Sequence, residues 1–217
     1  MSASDFTIVN GDTPRAAGFA TGTRIETETG PAAVEDLRVG DRVLTEKGGR
    51  EPILWLGQRA VDYRSHPRPA SVWPVRIAKG AFGDNLPSRD LFVSPDHALY
   101  WNGVLIPAKR LVNGTTIRQM RVQRVAYHHI ELARHNVIFA EELPAETYLD
   151  TGDRAKFSGG QVTTLHPDFA ARRWEMAGYA PLVLTGQALE AARRFLSRPA
   201  RQTVRHDAGR SLSSRRK

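Results

Sequence analysis

The clearest chemical potential lies with Ser94 and His97, set in Leu91-Phe92-Val93-Ser94-Pro95-Asp96-His97-Ala98-Leu99-Tyr100. Apolar residues flank the polar centre of this stretch, so its hydroxyl, carboxylate and imidazole lie in or beside a hydrophobic interior. Polar groups placed there must be paired, or they destabilise the fold. Pro95 has no N–H and fixes its own φ, so the chain turns here rather than continuing a strand ladder. Across such a turn a hydroxyl and an imidazole can point into one small volume, as acid–base or nucleophilic chemistry requires. The same residues also describe a serine- and aspartate-stabilised turn with a satisfied histidine. On this stretch alone both readings stay open.

His128, His129 and His135 are further imidazoles, and with His97 and Asp96 they are the only set worth testing as a metal site. Adjacent His128 and His129 on a strand face opposite ways, so at most one can join. The spacing matches no standard zinc motif, and no cofactor or metal is expected. The chain has no cysteine, which excludes disulfides, zinc–thiolate sites and thiol nucleophiles.

The elements that must position these residues are short strands. Thr23, Ile25 and Thr27 alternate with charged neighbours. Gly30-Pro31 is expected to turn the chain, and Gly40-Asp41 makes a tight turn before a strand opening at Val43. Ile53-Leu54-Trp55-Leu56-Gly57 is apolar throughout and reads as buried on both faces. Residues 62–74, with three prolines, read as an irregular loop, and alternation returns at Val75-Arg76-Ile77. Asn102-Gly103 between apolar neighbours is a strong hairpin signal, and Asn113-Gly114 is a second turn. Strands follow around Tyr127 to Leu132 and Val137 to Ala140, separated by a turn at Arg134-His135-Asn136. The body, residues 18–157, is therefore mainly β, preceded by a lead-in over 1–17.

Beyond Ser158-Gly159-Gly160 the pattern becomes helical. Pro167 can open one helix that stops at Gly178. A second begins after Thr185, with Leu189, Ala192 and Leu196 on one face. This extension, 158–200, reads as a docked helical element rather than a separate domain.

The chain has 217 residues and a net charge of +8. From Ala191 onward nine basic residues face one acid, so residues 1–190 carry no net charge. The basic tail, 201–217, reads as a solvated extension, allowing weak, salt-dependent contact with nucleic acid or other anions. No apolar run approaches the roughly 20 residues of a membrane helix, and Met1 to Asp5 lack a signal-peptide pattern. A cytoplasmic setting is the default, with export by another route left open.

Taken together, Gly18-Phe19-Ala20-Thr21-Gly22-Thr23-Arg24-Ile25, Val34 to Leu37 and Val39 to Val43 resemble the opening of a Hint (Hedgehog/intein) domain. Leu91 to Tyr100 resembles that family's second motif, a hydroxyl residue three before a histidine. Tyr127 to Leu132 and His135 to Ala140 resemble its closing strands. Pro144 to Tyr148 and Ala180 to Val183 are similar to a bacterial subgroup with a short helical tail. Several motifs in the expected order are more specific than any one.

The resemblance implies a horseshoe of short antiparallel strands whose ancestral role is protein autoprocessing on its own polypeptide. A first-position cysteine attacks the preceding carbonyl, a histidine protonates the leaving amide, and a hydroxyl orients the bond. Carried over, these positions fall on Gly18, His97 and Ser94, with His135 near a polar residue of the closing motif. Gly18 has no side chain, so the acyl shift is chemically unavailable there. Thr21 and Thr23 lie past the scissile bond, and a threonine without an adjacent base is a far weaker nucleophile. Asn136 reads as a turn residue, and self-splicing is not expected. The expectation is a degenerate self-processing domain kept as a structural or protein-interaction module. The alternative is residual cleavage using His97 and Ser94, which needs both within reach of each other and of an open cleft.

Overall fold

The computed structural model describes residues 18–64, 72–150 and 176–197. Short alternating segments form β1 (Phe19–Ala20), β2 (Arg24–Thr27), β3 (Gly30–Ala33), β4 (Arg42–Leu44) and β5 (Arg50–Pro52). They continue as β6 (Trp55–Asp62), β7 (Val75–Ile77), β8 (Leu91–Val93), β9 (Ala98–Trp101) and β10 (Val104–Pro107). The closing strands are β11 (Ile117–Gln119), β12 (Arg124–Glu131), β13 (Val137–Ala140) and β14 (Leu143–Glu146). A 3-10 helix at Ala108–Leu111 follows β10, and one α-helix, α1, spans Gln187–Leu196.

The strands make two antiparallel sheets, a mainly β architecture as the sequence implies. One runs in the order β11-β7-β8-β1-β12-β6. The other runs β10-β9-β14-β13-β2-β4-β5, with β3 also paired to β2. Their inward residues, among them Phe19, Ile25, Val43, Val93, Leu99, Ile130 and Ile138, form one core. Burying each such side chain contributes about 1.5–3 kcal/mol, which makes alternation the main determinant of register.

Local signals act as expected at several points. Asn102 and Gly103 have φ of 46° and 84° and close the β9–β10 hairpin, with Trp101 opposite Val104. Positive φ at both central residues is what a two-residue turn of this kind needs, and Asn-Gly supplies it at low cost. Asp41 accepts the Arg38 N–H at 2.8 Å and fixes the turn before β4. Helix α1 buries Leu189, Ala192 and Leu196 in the main core.

Two expectations need correction, and one strand is added. Gly30-Pro31 does not turn the chain but begins β3; the turn is Glu28-Thr29, closed by the Thr27 hydroxyl on the Gly30 carbonyl at 2.6 Å. The apolar run Ile53 to Gly57 is not buried on both faces. Among the described residues the strand that follows, β6, pairs with β12 alone, and Leu54 just before it is 53% exposed. Strand β14 is an addition, because Glu141-Glu142 turns at φ 47° and 67°, a conformation such residues rarely signal. The first expected helix falls mostly outside the described residues, as do the lead-in and the basic tail.

The segment before α1 docks as a short strap. The Leu105 N–H donates to the Pro181 carbonyl at 2.9 Å and the Val183 N–H to the Leu105 carbonyl at 2.8 Å. The strap thereby covers β10, an edge whose unpaired groups would otherwise be open.

Since α1 shares the core of the sheets, Leu189→Ala should destabilise the whole chain by about 2–4 kcal/mol in one cooperative denaturation transition. A separate early transition for the helix, read by circular dichroism against tryptophan fluorescence, would show that it is not part of that core.

Candidate functional site

Strand β1 places the site. It lies between β8 and β12, with Phe19 opposite Val93 on one side and His128 on the other. Gly18 continues this pairing by one residue. The Ser94 N–H donates to the Gly18 carbonyl at 2.9 Å, and the Gly18 N–H donates to the Ser94 hydroxyl oxygen at 3.1 Å. On the β12 side, a Cβ placed on Gly18 would stand 2.8 Å from both Cβ of Tyr127 and Cε1 of His129. Its distance to His129 Nε2 would be 3.1 Å. Those are overlaps, and the Tyr127 atom is next to backbone and cannot swing away.

The turn after β8 brings His97 to the same place. Its N–H donates to the Ser94 carbonyl at 3.1 Å, and its ring stands 4.3 Å from that of Phe19. His97 is buried, and neither ring nitrogen makes a hydrogen bond of ordinary geometry. Burial holds its imidazolium far below the usual range, down to about 3, and repulsion from His129 and His135 adds to this. The backbones of Gly18 and Glu146 pull weakly the other way. Ser94 and His97 thus meet at Gly18, but the serine oxygen bonds the Gly18 nitrogen rather than the imidazole.

His135 does not reach Gly18 directly. Its Nδ1 accepts the Tyr179 N–H at 3.0 Å, and its Nε2 lies 3.5 Å from a Glu146 carboxylate oxygen, with both side chains buried. The other oxygen of Glu146 accepts the Ala98 N–H at 2.6 Å. Burial raises the Glu146 carboxyl above its ordinary value despite His135. Asn136 serves the turn, as read from the sequence: its N–H goes to the Thr147 hydroxyl at 2.9 Å and its side-chain amide to Glu51 at 2.8 Å.

Residues 17–152 match the family model of the Hint domain. The chain belongs to the Hint domain family. Membership places it in a self-processing lineage. The solution structure of a bacterial intein-like domain from Clostridium thermocellum is 15% identical over 61% of this chain and 98% of that one, with a TM-score of 0.46. The MchDnaB-1 intein is 15% identical, covering 58% of this chain and 98% of that one at a TM-score of 0.42. A DnaB intein from Synechocystis sp. PCC 6803 is 7% identical, covering 61% and 99% at a TM-score of 0.42. A search of curated proteins gives no match. Among the described residues, no helix is long and apolar enough to cross a membrane.

In this Hint domain the sequence pointed to Ser94 and His97 by spacing, and the fold adds Tyr127 and His129. Nothing local marks those two as neighbours of Gly18, since they come from a strand more than a hundred residues away. His128 and His129 face opposite ways, as alternation requires: His128 meets Thr21, while His129 approaches Gly18 and stands 5.8 Å from the ring of Tyr148. Among the described residues no group of three or more potential metal ligands converges.

The buried imidazole makes stability depend on pH with a definite sign. Between an ordinary value of 6.5 and about 3, the unfolded chain binds a proton at His97 that the folded chain refuses. Stability is therefore full above that window and falls as pH drops through it, by about 1.4 kcal/mol per pH unit from this group. His128, lowered by burial, adds in the same sense, whereas Glu146, raised by burial, opposes it. Urea denaturation from neutral pH to pH ~4 should show this loss, and His97→Phe should flatten it. An unchanged slope in a folded His97→Phe chain would place the proton uptake elsewhere.

Proposed function

We propose that this chain is a Hint domain that no longer cleaves its own backbone and acts as a structural or protein-binding module. The observation that carries this is the closure of the first position. Gly18 offers no nucleophile, and the volume a side chain would occupy is held by Tyr127 and His129 at 2.8 Å. The absence of cysteine from the chain points the same way. So does the protonation state of His97, which is neutral at pH 7 and a poor donor to a leaving amide.

Other features read as inheritance. The Ser94 oxygen still meets the Gly18 nitrogen, the leaving atom of the ancestral bond, at 3.1 Å. His97 lies beside Phe19 next to it, and His135, held by Tyr179 and Glu146, contributes to the packed interior. On this reading the β domain extends over 18–157 and the docked extension over 158–200. The own polypeptide is the ancestral substrate, the present role is contact with a protein partner rather than cleavage, and the tail at 201–217 adds weak, salt-dependent anion contact.

Intact-mass measurement of the full chain over time, with and without hydroxylamine, should give one unchanged mass. Fragments at the Ala17–Gly18 junction that disappear in His97→Ala would instead establish cleavage by His97 and Ser94. Gly18→Cys should lower stability by about 1–3 kcal/mol through overpacking and should not create hydroxylamine-sensitive cleavage. Cleavage in that variant would mean that the pocket is competent and only the thiol is missing.

A further inference from the structure

Thr21 reads from the sequence as a weak nucleophile for want of an adjacent base. The fold supplies one. Thr21 is exposed in the turn after β1, and its N–H donates to the Ala126 carbonyl at 3.1 Å, pinning the turn to β12. Its hydroxyl oxygen lies 2.9 Å from Nε2 of His128. The Ala126 carbonyl is the competing acceptor, at 3.5 Å from the same oxygen, the outer limit of a hydrogen bond. His128 is on the face of β12 opposite His129, so this contact is separate from the Gly18 site.

A carboxylate completes the cluster. Glu35, in the turn after β3, accepts the Gly22 N–H at 2.8 Å and so stands beside the Thr21 turn. Partial burial would raise its carboxyl, but the Gly22 bond and the proximity of His128 outweigh this and hold it below the ordinary value. His128 is itself lowered by burial, against the pull of Glu35, and is a neutral base at pH 7. With its proton on Nδ1, its Nε2 accepts from the threonine hydroxyl.

We propose that Thr21, His128 and Glu35 form a second chemical site in which the Thr21 hydroxyl accepts acyl groups from small activated esters, such as aryl esters or thioesters. The threonine oxygen bonds to the acyl carbon while His128 Nε2 takes the hydroxyl proton. The bond from the acyl carbon to the leaving phenol or thiol then breaks, and the leaving group takes that proton. An acyl-threonine ester remains. Water can cleave it with the same imidazole as base, returning threonine and a carboxylic acid. Glu35 is a positioning residue that favours the imidazolium formed in between. The arrangement is a hydroxyl–imidazole pair with a carboxylate close enough to act on the imidazole through its charge, its hydrogen bond being to the Gly22 N–H.

The test uses the full chain and 4-nitrophenyl acetate, with peptide mass mapping to locate the acetyl group. Thr115 serves as the internal reference, because its hydroxyl bonds to the Asn113 side-chain oxygen at 3.1 Å rather than to an imidazole. Thr21 should acetylate at least about ten-fold faster than Thr115, and His128→Gln should slow it by about ten-fold or more. Glu35→Gln should slow it less. Equal labelling of Thr21 and Thr115, or unchanged Thr21 labelling in a folded His128→Gln chain, overturns the proposal. Thr21→Val, an exposed turn change that leaves the core intact, decides independently of any folding defect in the histidine variant. Acetyl retained on the same peptide after Thr21→Val would place the reactive atom elsewhere and overturn it as well.

Discussion

The close approach of β1 to both of its neighbours is the constraint on which the rest of the structure depends. A strand of two residues, Phe19 and Ala20, sits between β8 and β12. It holds its place because Phe19 is buried in the core and because Gly18 extends the pairing to Ser94. A residue with a side chain at Gly18 would push against Tyr127 and His129. The glycine is there for space, since its φ carries no left-handed requirement.

Around that contact the interior is unusually rich in imidazole. His97, His129 and His135 are all buried, and burial with repulsion from the other two keeps His97 in its neutral form. The single buried carboxylate among them, Glu146, is itself pushed toward its neutral form. The strap ties into the same network, since Tyr179 donates its N–H to His135 and its hydroxyl bonds Glu46. The Tyr179 ring stands 5.7 Å from that of Tyr100, edge-on, with the Lys47 ammonium 4.7 Å from its centre. Through these contacts the C-terminal element secures an otherwise open sheet edge and closes over His135.

Opposite faces of one strand serve different chemistry here. His129 approaches Gly18, while His128, one residue earlier, turns the other way to Thr21. The period of two along β12 separates the side chain beside Gly18 from a buried imidazole that meets the exposed Thr21.

Where a feature depends on neighbours in sequence, the amino-acid sequence by itself determined it. The mainly β character, the Asn102-Gly103 hairpin, the turn from Ser94 to His97 and the buried face of α1 all follow from turn chemistry and periodicity. The readings that failed are those in which a local signal competes with partners elsewhere. Gly30-Pro31 joins a strand because β2 lies beside it, and in Ile53 to Gly57 only Ile53 and Gly57 are buried, with Leu54 left on the outer face. Strand β14 was hidden because Pro144 and the Glu141-Glu142 turn argue locally against it, while pairing to β9 and β13 prevails. That the chain has no cysteine is likewise legible in one dimension. Only the tertiary structure decided that Gly18 lacks room for a side chain and that Thr21 meets a base. Both depend on strand β12 being laid beside β1, a pairing between segments more than a hundred residues apart that no local propensity encodes.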